Sequence, residues 1–296
     1  MSDLNHFLDI DEIDADTLKG ILTQAHELKK LKFTPPQLFK GLSLAMIFDK
    51  KSTRTRLSFE VAFKQLGGHT MVMSMDEIQL TGAESIEDTG QVLSRFVDAV
   101  MIRMSDHATL KTLSQNTNIP VINGLTDHSH PCQIMADILT IEEKLGTIKG
   151  KKLAWFGDYN NVAHTFVQAA EKFDFEILLA TPESLRHKAD PRAQLTNTPE
   201  EAAKNADVII TDTWVSMGQE GKEINIFTPY QVNSELMAHA KDNAIFMHCM
   251  PIHRGEEVTE EVLASPASVI YDEAENRAHA QKAILAWCLT EAGVTV

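Results

Sequence analysis

Residues 42–60 read LSLAMIFDKKSTRTRLSFE. Up to Phe48 the stretch is apolar without alternation, the pattern of a short strand covered on both faces. From Arg54 to about residue 66, apolar residues return every three or four positions, which is the period of an amphipathic helix. A strand that runs straight into a helix is half of a β–α–β unit, and the same alternation recurs along the chain. Strands are expected near 43–48, 69–73, 98–103, 119–122, 151–156, 175–180, 207–211 and 244–247, with a late one near 268–271. Helical patterns occupy 54–66, 86–96, 131–145 and 160–173. Strands alternating with helices give mainly parallel sheets with helical crossovers. The expected fold class is therefore α/β, with doubly wound sheets flanked by helices.

A chain of 296 residues suits two such domains of roughly 150 residues each. The break is expected in EEKLGTIKGKK, residues 142–152, where Gly146 and Gly150 end one helix and restart the alternation. That puts a first domain over 1–145 and a second over 146–274, with a final helix at 275–296 free to pack on either. Open parallel sheets bind ligands at the carboxyl ends of their strands. The loops expected there, 49–56, 157–161, 212–218 and 248–254, are the chemically loaded ones, so one site in a cleft between the domains is expected.

The charge balance narrows the partners. Forty-two acidic residues against 27 basic ones leave a net charge of −15. Phosphate-backbone binding depends on accumulated positive charge, so no nucleic acid partner is expected. The acidic start, MSDLNHFLDIDEIDADTLKG, lacks the basic and apolar regions of a secretory signal. No run of 18 apolar residues suggests a membrane span. Three cysteines, Cys132, Cys249 and Cys288, are odd in number and far apart, which favours a reducing cytoplasm over a disulfide framework.

Against that acidic background the cluster at 50–56 stands out. A helix start has free N–H groups and a positive dipole end, and both favour an anion. Ser52, Thr53 and Thr55 add hydroxyls, and Arg54 adds a planar fork matched to phosphate or carboxylate. Ordinary N-capping by Ser52 or Thr53 with solvated arginines explains the residues equally well. The glycine spacing of a nucleotide P-loop is missing.

HSHPCQ, residues 128–133, places Pro131 at a first helical turn. His130 and Gln133 could donate to a carbonyl that gains charge, or could simply cap and solvate the helix start. WFGDYNNVAHTF, residues 155–166, follows a strand but carries Tyr159 and Val162 where a dinucleotide loop needs glycine. Something smaller is expected there, with Asn161 as a donor and acceptor, unless Asn160 and Asn161 only shape the turn. TDTWVSMGQE, residues 211–220, puts Asp212 at a strand end, suited to an ammonium group, before a loop with Ser216 and Met217. HCMPIHRGEEV, residues 248–258, invites a zinc reading, but its spacing fits neither C-x-x-C nor H-E-x-x-H, so no metal is expected. Cys249 as a covalent nucleophile lacks a defined base.

Taken together and in order, these stretches resemble the aspartate/ornithine carbamoyltransferases over essentially the whole chain. STRTR and HPCQ resemble that family's carbamoyl-phosphate elements; DTWVSMG and HCMP resemble the marks of its ornithine branch, with Met250 where leucine is usual. The resemblance implies transfer of a carbamoyl group from carbamoyl phosphate to the δ-amine of L-ornithine, giving L-citrulline and phosphate, as in arginine biosynthesis. No cofactor is implied, because phosphate is already a competent leaving group.

Residue by residue, the resemblance implies that Ser52, Thr53, Arg54 and Thr55 hold the phosphate. Arg103, His130, Pro131, Cys132 and Gln133 would surround the carbamoyl group, and Arg277 would complete that pocket, which returns the last helix to the first domain. Asn161, Asp212, Ser216 and Met217 would bind the amino-acid end of ornithine, with Cys249 and Met250 beside the reacting centre. Arg54, Arg103, His130, Asp212 and Cys249 are the implied catalytic set. Gln79, in DEIQLTGAES, would reach a neighbouring subunit's site, which implies a homotrimer. Residues 181–200 are shorter than is common in the family and are expected to be a trimmed surface loop. Rival readings are carbamoyl transfer to aspartate, putrescine or N-acetylornithine, and a non-catalytic sensor of a phosphate metabolite.

Overall fold

The computed structural model describes residues 4–32, 34–50, 52–76, 78, 84–215 and 224–291. The chain divides into two compact units, Met1–Leu139 with Glu275–Val296, and Thr140–Ala274.

In the first unit, helix α1 (Ala15–Lys30) precedes strand β1 (Ser43–Phe48), helix α2 (Thr53–Gln65) and strand β2 (His69–Ser74). Helix α3 (Ile86–Leu93), strand β3 (Ala99–Arg103), helix α4 (His107–Gln115), strand β4 (Val121–Leu125) and helix α5 (Pro131–Leu145) follow, α5 passing into the second unit at Thr140. The sheet is parallel, in the order β2-β1-β3-β4. β1 lies inside it, and residues 44–48 are all buried, which is why that strand carries no polar alternation. α2 turns Phe59, Ala62 and Phe63 inward, and Phe63 stacks on Phe39 at 4.7 Å. Gly68 makes the return to β2 possible: a Cβ there would lie 2.2 Å from the Phe63 ring.

After the end of α5, the second unit holds β5 (Lys152–Phe156), α6 (Asn161–Phe173), β6 (Glu176–Ala180) and β7 (Gln194–Thr196). It continues through α7 (Pro199–Ala203), β8 (Val208–Thr211), α8 (Ser234–Met237), β9 (Ile245–His248) and α9 (Glu260–Ala264). Its sheet is again parallel, ordered β7-β6-β5-β8-β9. The last helix, α10 (Ile270–Glu291), starts in the second unit and contributes its greater part to the first.

In each sheet the strand order reverses beside the first strand, between β1 and β3 and between β5 and β8. These are the topological switch points at which parallel sheets leave a crevice for ligands.

Two sequence expectations need correction. Residues 268–271 form no strand: Ser268 makes a single bridge to Phe246, and α10 begins at Ile270. Residues 181–200 are more than a surface loop. They contain a 3₁₀ helix, Glu183–Lys188, and β7, which pairs with the edge of β6. Gln194–Thr196 is only three residues long, too short to register as a periodic pattern.

Candidate functional site

The first cluster grows from the head of α2. Ser52 is its N-cap in extended conformation, yet the side chain makes no capping hydrogen bond. Its hydroxyl instead accepts from Arg103 Nη1 at 3.1 Å, and the same nitrogen donates to Thr55 Oγ1 at 3.1 Å. Arg277 of α10 donates through Nη2 to Thr55 Oγ1 at 2.8 Å. Thr55 and Arg277 are buried. Two guanidinium groups therefore converge on one hydroxyl beside first-turn N–H groups that have no partner within the helix. Arg54 is half-buried and makes no ion pair or hydrogen bond among the described residues. A guanidinium so placed is available to an external anion.

The loops after β1 and β3 are tied together: Asp49 Oδ2 accepts the Ser105 N–H at 2.8 Å and the Ser105 hydroxyl at 3.1 Å. After β4 the chain turns through His130 into α5, where Pro131 occupies the first helical position. His130 and Gln133 are buried. Burial, then the nearby Arg277 and Arg103, holds the His130 imidazole well below its ordinary pKa, and hence neutral. A neutral imidazole is a hydrogen-bond donor that adds no charge of its own. Gln133 Nε2 donates to Asp137 Oδ1 at 2.8 Å. Cys132 is buried and donates its S–H to the Asn123 carbonyl; burial pushes this thiol up to about 12.

The second cluster lies at the switch point of the other sheet. Gly157, directly after β5, has φ +123°, a conformation side chains rarely adopt, and its α-carbon faces the Trp214 ring. Asn160 then caps α6, accepting from the N–H groups of Val162 and Ala163 at 3.0 and 3.1 Å. The amide of the same residue donates to Asp212 Oδ2 at 2.7 Å. Asp212, just past β8, accepts the Thr213 N–H through Oδ1 at 2.8 Å and the Cys249 S–H through the same oxygen at 3.2 Å.

Cys249 thus stands as a thiol donor to a carboxylate. Beside it His248 is buried between the Cys249 carbonyl, 2.7 Å from Nδ1, and Glu257 Oε1, 2.9 Å from Nε2. Asp212, His248 and Cys249 each offer a ligand atom within 4.8 Å of the others, a proximity the linear spacing did not suggest. Met250 follows at a half-buried position. Asn161 opens α6, with its carbonyl accepting from Thr165.

Sequence reasoning missed Asn160 as the residue that steadies Asp212. The available signal was an Asn directly before a helical period, a strong N-cap choice. Gln79, Ser216 and Met217 lie outside the described residues.

Two family models match the chain: the aspartate/ornithine carbamoyltransferase carbamoyl-P binding domain over residues 5–143, and the Asp/Orn binding domain over 149–288. An ornithine carbamoyltransferase of Brucella suis is 51% identical over 308 aligned positions, covering 98% of this chain and 97% of the relative. The chain belongs to the aspartate/ornithine carbamoyltransferase family.

An ornithine carbamoyltransferase of Mesorhizobium japonicum is also 51% identical, covering 97% of this chain and 99% of its own. Among solved structures, the ornithine carbamoyltransferase of Pyrococcus furiosus matches with a TM-score of 0.91 and 47% identity. That match covers 95% of this chain and 96% of that one. Within this carbamoyltransferase chain, the residues matched by the carbamoyl-P model contain Ser52, Arg54, Thr55, Arg103, His130 and Gln133, while Arg277 of the same cluster falls within the Asp/Orn match. Those matched by the Asp/Orn model contain the Asp212–Cys249 cluster.

Proposed function

We propose that the chain transfers the carbamoyl group of carbamoyl phosphate to the δ-amine of L-ornithine, giving L-citrulline and phosphate, a step of arginine biosynthesis. The observation that carries this reading is the convergence of Arg103 and Arg277 on Thr55 at the head of α2. It supplies an oriented set of cationic and hydroxyl donors suited to the phosphate group of an acyl phosphate.

In this reading Ser52, Thr53, Arg54 and Thr55 receive the phosphate. Arg103 and the neutral His130 donate to the carbamoyl oxygen, with Pro131, Cys132, Gln133 and Arg277 lining the same group. Charge gathers on that oxygen as the amine adds, and preset donors lower the barrier because they need no reorientation. The C–N bond forms, the C–O bond to phosphate breaks, and its electron pair leaves with phosphate while the nitrogen sheds a proton. No redox partner is required.

Asp212 pairs with the α-ammonium group at the amino-acid end of ornithine, assisted by Asn161, Ser216 and Met217. Asn160 and Cys249 keep the Asp212 carboxylate oriented. Cys249 and Met250 border the attacking amine. An aspartate acceptor would call for basic residues in the loop after β8, and 211–220 contains none.

The same reading makes the protein a cytoplasmic homotrimer in which Gln79 reaches a neighbouring site. Leu57 and Val61 on α2, Met71 on the edge strand β2, Val92 on α3 and Phe96 after it are exposed, which suits burial against another copy. The three cysteines are free, and no described helix is long and apolar enough to cross a membrane.

The direct test supplies carbamoyl phosphate with ornithine, aspartate, putrescine or N-acetylornithine in separate reactions and measures ureido product. Product with ornithine alone is expected; an equal or greater rate with another amine would overturn the acceptor assignment.

A further inference from the structure

Away from both clusters, the first unit brings together three ligating side chains that the transfer reaction does not use. Asp9, His107 and His128 each present one donor atom, and these atoms all lie within 4.8 Å of one another. Asp9 Oδ2 is already 3.1 Å from His128 Nε2, and the two imidazole rings are 4.6 Å apart between centroids. Donors bound tetrahedrally to zinc at about 2.0–2.1 Å are themselves about 3.3 Å apart, so only a small closure is needed.

The groups that orient the His107 ring are also in place. His107 Nδ1 lies 3.0 Å from Thr126 Oγ1, and that hydroxyl faces the Ser129 carbonyl at 3.4 Å. With the Thr126 proton directed there, the imidazole proton sits on Nδ1 and the lone pair on Nε2. His107 Nε2 is buried and has no hydrogen-bond partner. A buried nitrogen lone pair left unmatched costs free energy that a metal bond would offset. Asp9 is buried while the His128 side chain is 46% exposed, so the site has an anchored floor and an open entrance.

We propose that Asp9, His107 and His128 form a binding site for a divalent transition ion of the zinc type, with a fourth position open to water. Two imidazoles and one carboxylate are a ligand set suited to such an ion. Its occupation would tie three segments distant in sequence. Asp9 follows the N-terminal strap, where the Phe7 N–H donates to the Val121 carbonyl at 2.9 Å and the Phe7 carbonyl accepts from Asn123 at 2.8 Å. His107 opens α4, and His128 sits in the turn that delivers His130. The ion is a clamp on that turn, separate from the chemistry of carbamoyl transfer.

The test uses the full-length protein, dialysed against a chelator and titrated with Co²⁺. Ligation by Asp9, His107 and His128 gives d–d absorption without a sulfur charge-transfer band. Ligation at Asp212, His248 and Cys249 would show that band. Wild type and Cys249→Ser are expected to share the sulfur-free binding. His128→Asn, at a half-exposed position where folding is safe, is expected to lose about 100-fold or more in Co²⁺ affinity. A Thr126→Val variant, which keeps all three ligands, should lose about 10- to 100-fold. Unchanged binding in His128→Asn, binding only with a sulfur band, or no uptake of Co²⁺ would each overturn the site.

Discussion

The two clusters reach order by different means. In the first unit, the head of α2 is held by guanidinium groups from β3 and α10, all converging on Ser52 and Thr55. Its donors are cationic, partly or fully buried, and already aligned. In the second unit a single carboxylate, Asp212, is steadied by one amide, one thiol and one backbone N–H. The first arrangement suits a dianionic group whose charge must be met from several sides. The second suits one end of a small cation, for which one oriented carboxylate is enough. Each cluster draws on three segments, so what separates them is the sign and number of their charges, two converging guanidinium groups in one and a single carboxylate in the other.

The largest expected effect breaks the first cluster. Arg54→Gly should reduce kcat/KM by about 10²–10³, the usual cost of a lost charge-stabilising donor. The exposed Lys50→Ala should change it by less than about threefold, as surface charges seldom contribute more. Steady-state kinetics with carbamoyl phosphate varied would separate the two; equal losses would remove Arg54 from the phosphate assignment.

The next effect belongs to the acceptor. A free alkyl amine has a pKa of about 10.4, and only its neutral form attacks. Below that value, kcat/KM for ornithine should rise by up to about tenfold per pH unit. A flat profile between neutral and alkaline pH would show that the protein, not the solvent, removes the amine's proton before attack.

Smaller losses should mark the second cluster. Asn160→Ala and Cys249→Ala each remove one hydrogen bond from Asp212, an effect of about 1–2 kcal/mol, or roughly tenfold in KM for ornithine. KM for carbamoyl phosphate should stay near wild type. If both constants moved together, the division of labour between the clusters would be wrong.

A last expected effect concerns stability and leaves turnover at neutral pH untouched. His279 on α10 is buried, and burial, with Lys282 and Lys29, lowers its pKa from 6.5 to about 4, only partly opposed by Glu275. The folded state therefore binds fewer protons than the unfolded chain between these values. The stability contribution is present above about pH 6.5 and is lost as pH falls toward 4. The loss should be on the order of 2–3 kcal/mol, and His279→Gln should flatten that part of the slope in urea unfolding.

Much of the architecture was legible in the chain. The unalternating apolar runs of β1, β8 and β9 gave away parallel strands buried on both faces, and the helical period marked α2, α5 and α6 to within a residue or two. Helix α1 was overlooked even though it carries an Asp14 cap and inward-facing Leu18, Ile21, Leu22, Ala25 and Leu28. Gly20 and two threonines inside ADTLKGILTQAHELKK lower its local helix propensity, so packing of the apolar face decides the element. α4 was missed for a different reason. Only nine residues long, it offers two apolar anchors, Leu110 and Leu113, too few to establish a period.

The residues near each strand end could be picked out locally because a strand–loop–helix junction has a recognisable composition. Their partners could not. Ser52 reads as a cap, and only the folded chain turns its hydroxyl toward Arg103, 51 residues away. Asn160 and Asp212 are 52 residues apart, Thr55 and Arg277 are 222 apart, and Asp9 is more than a hundred residues from His128. By itself the sequence determined which short segments become strands and helices, since period and capping act over a few residues. The tertiary structure alone decided which polar groups meet, because hydrogen bonds and ligation depend on a few ångströms of separation that strand order, not chain distance, sets.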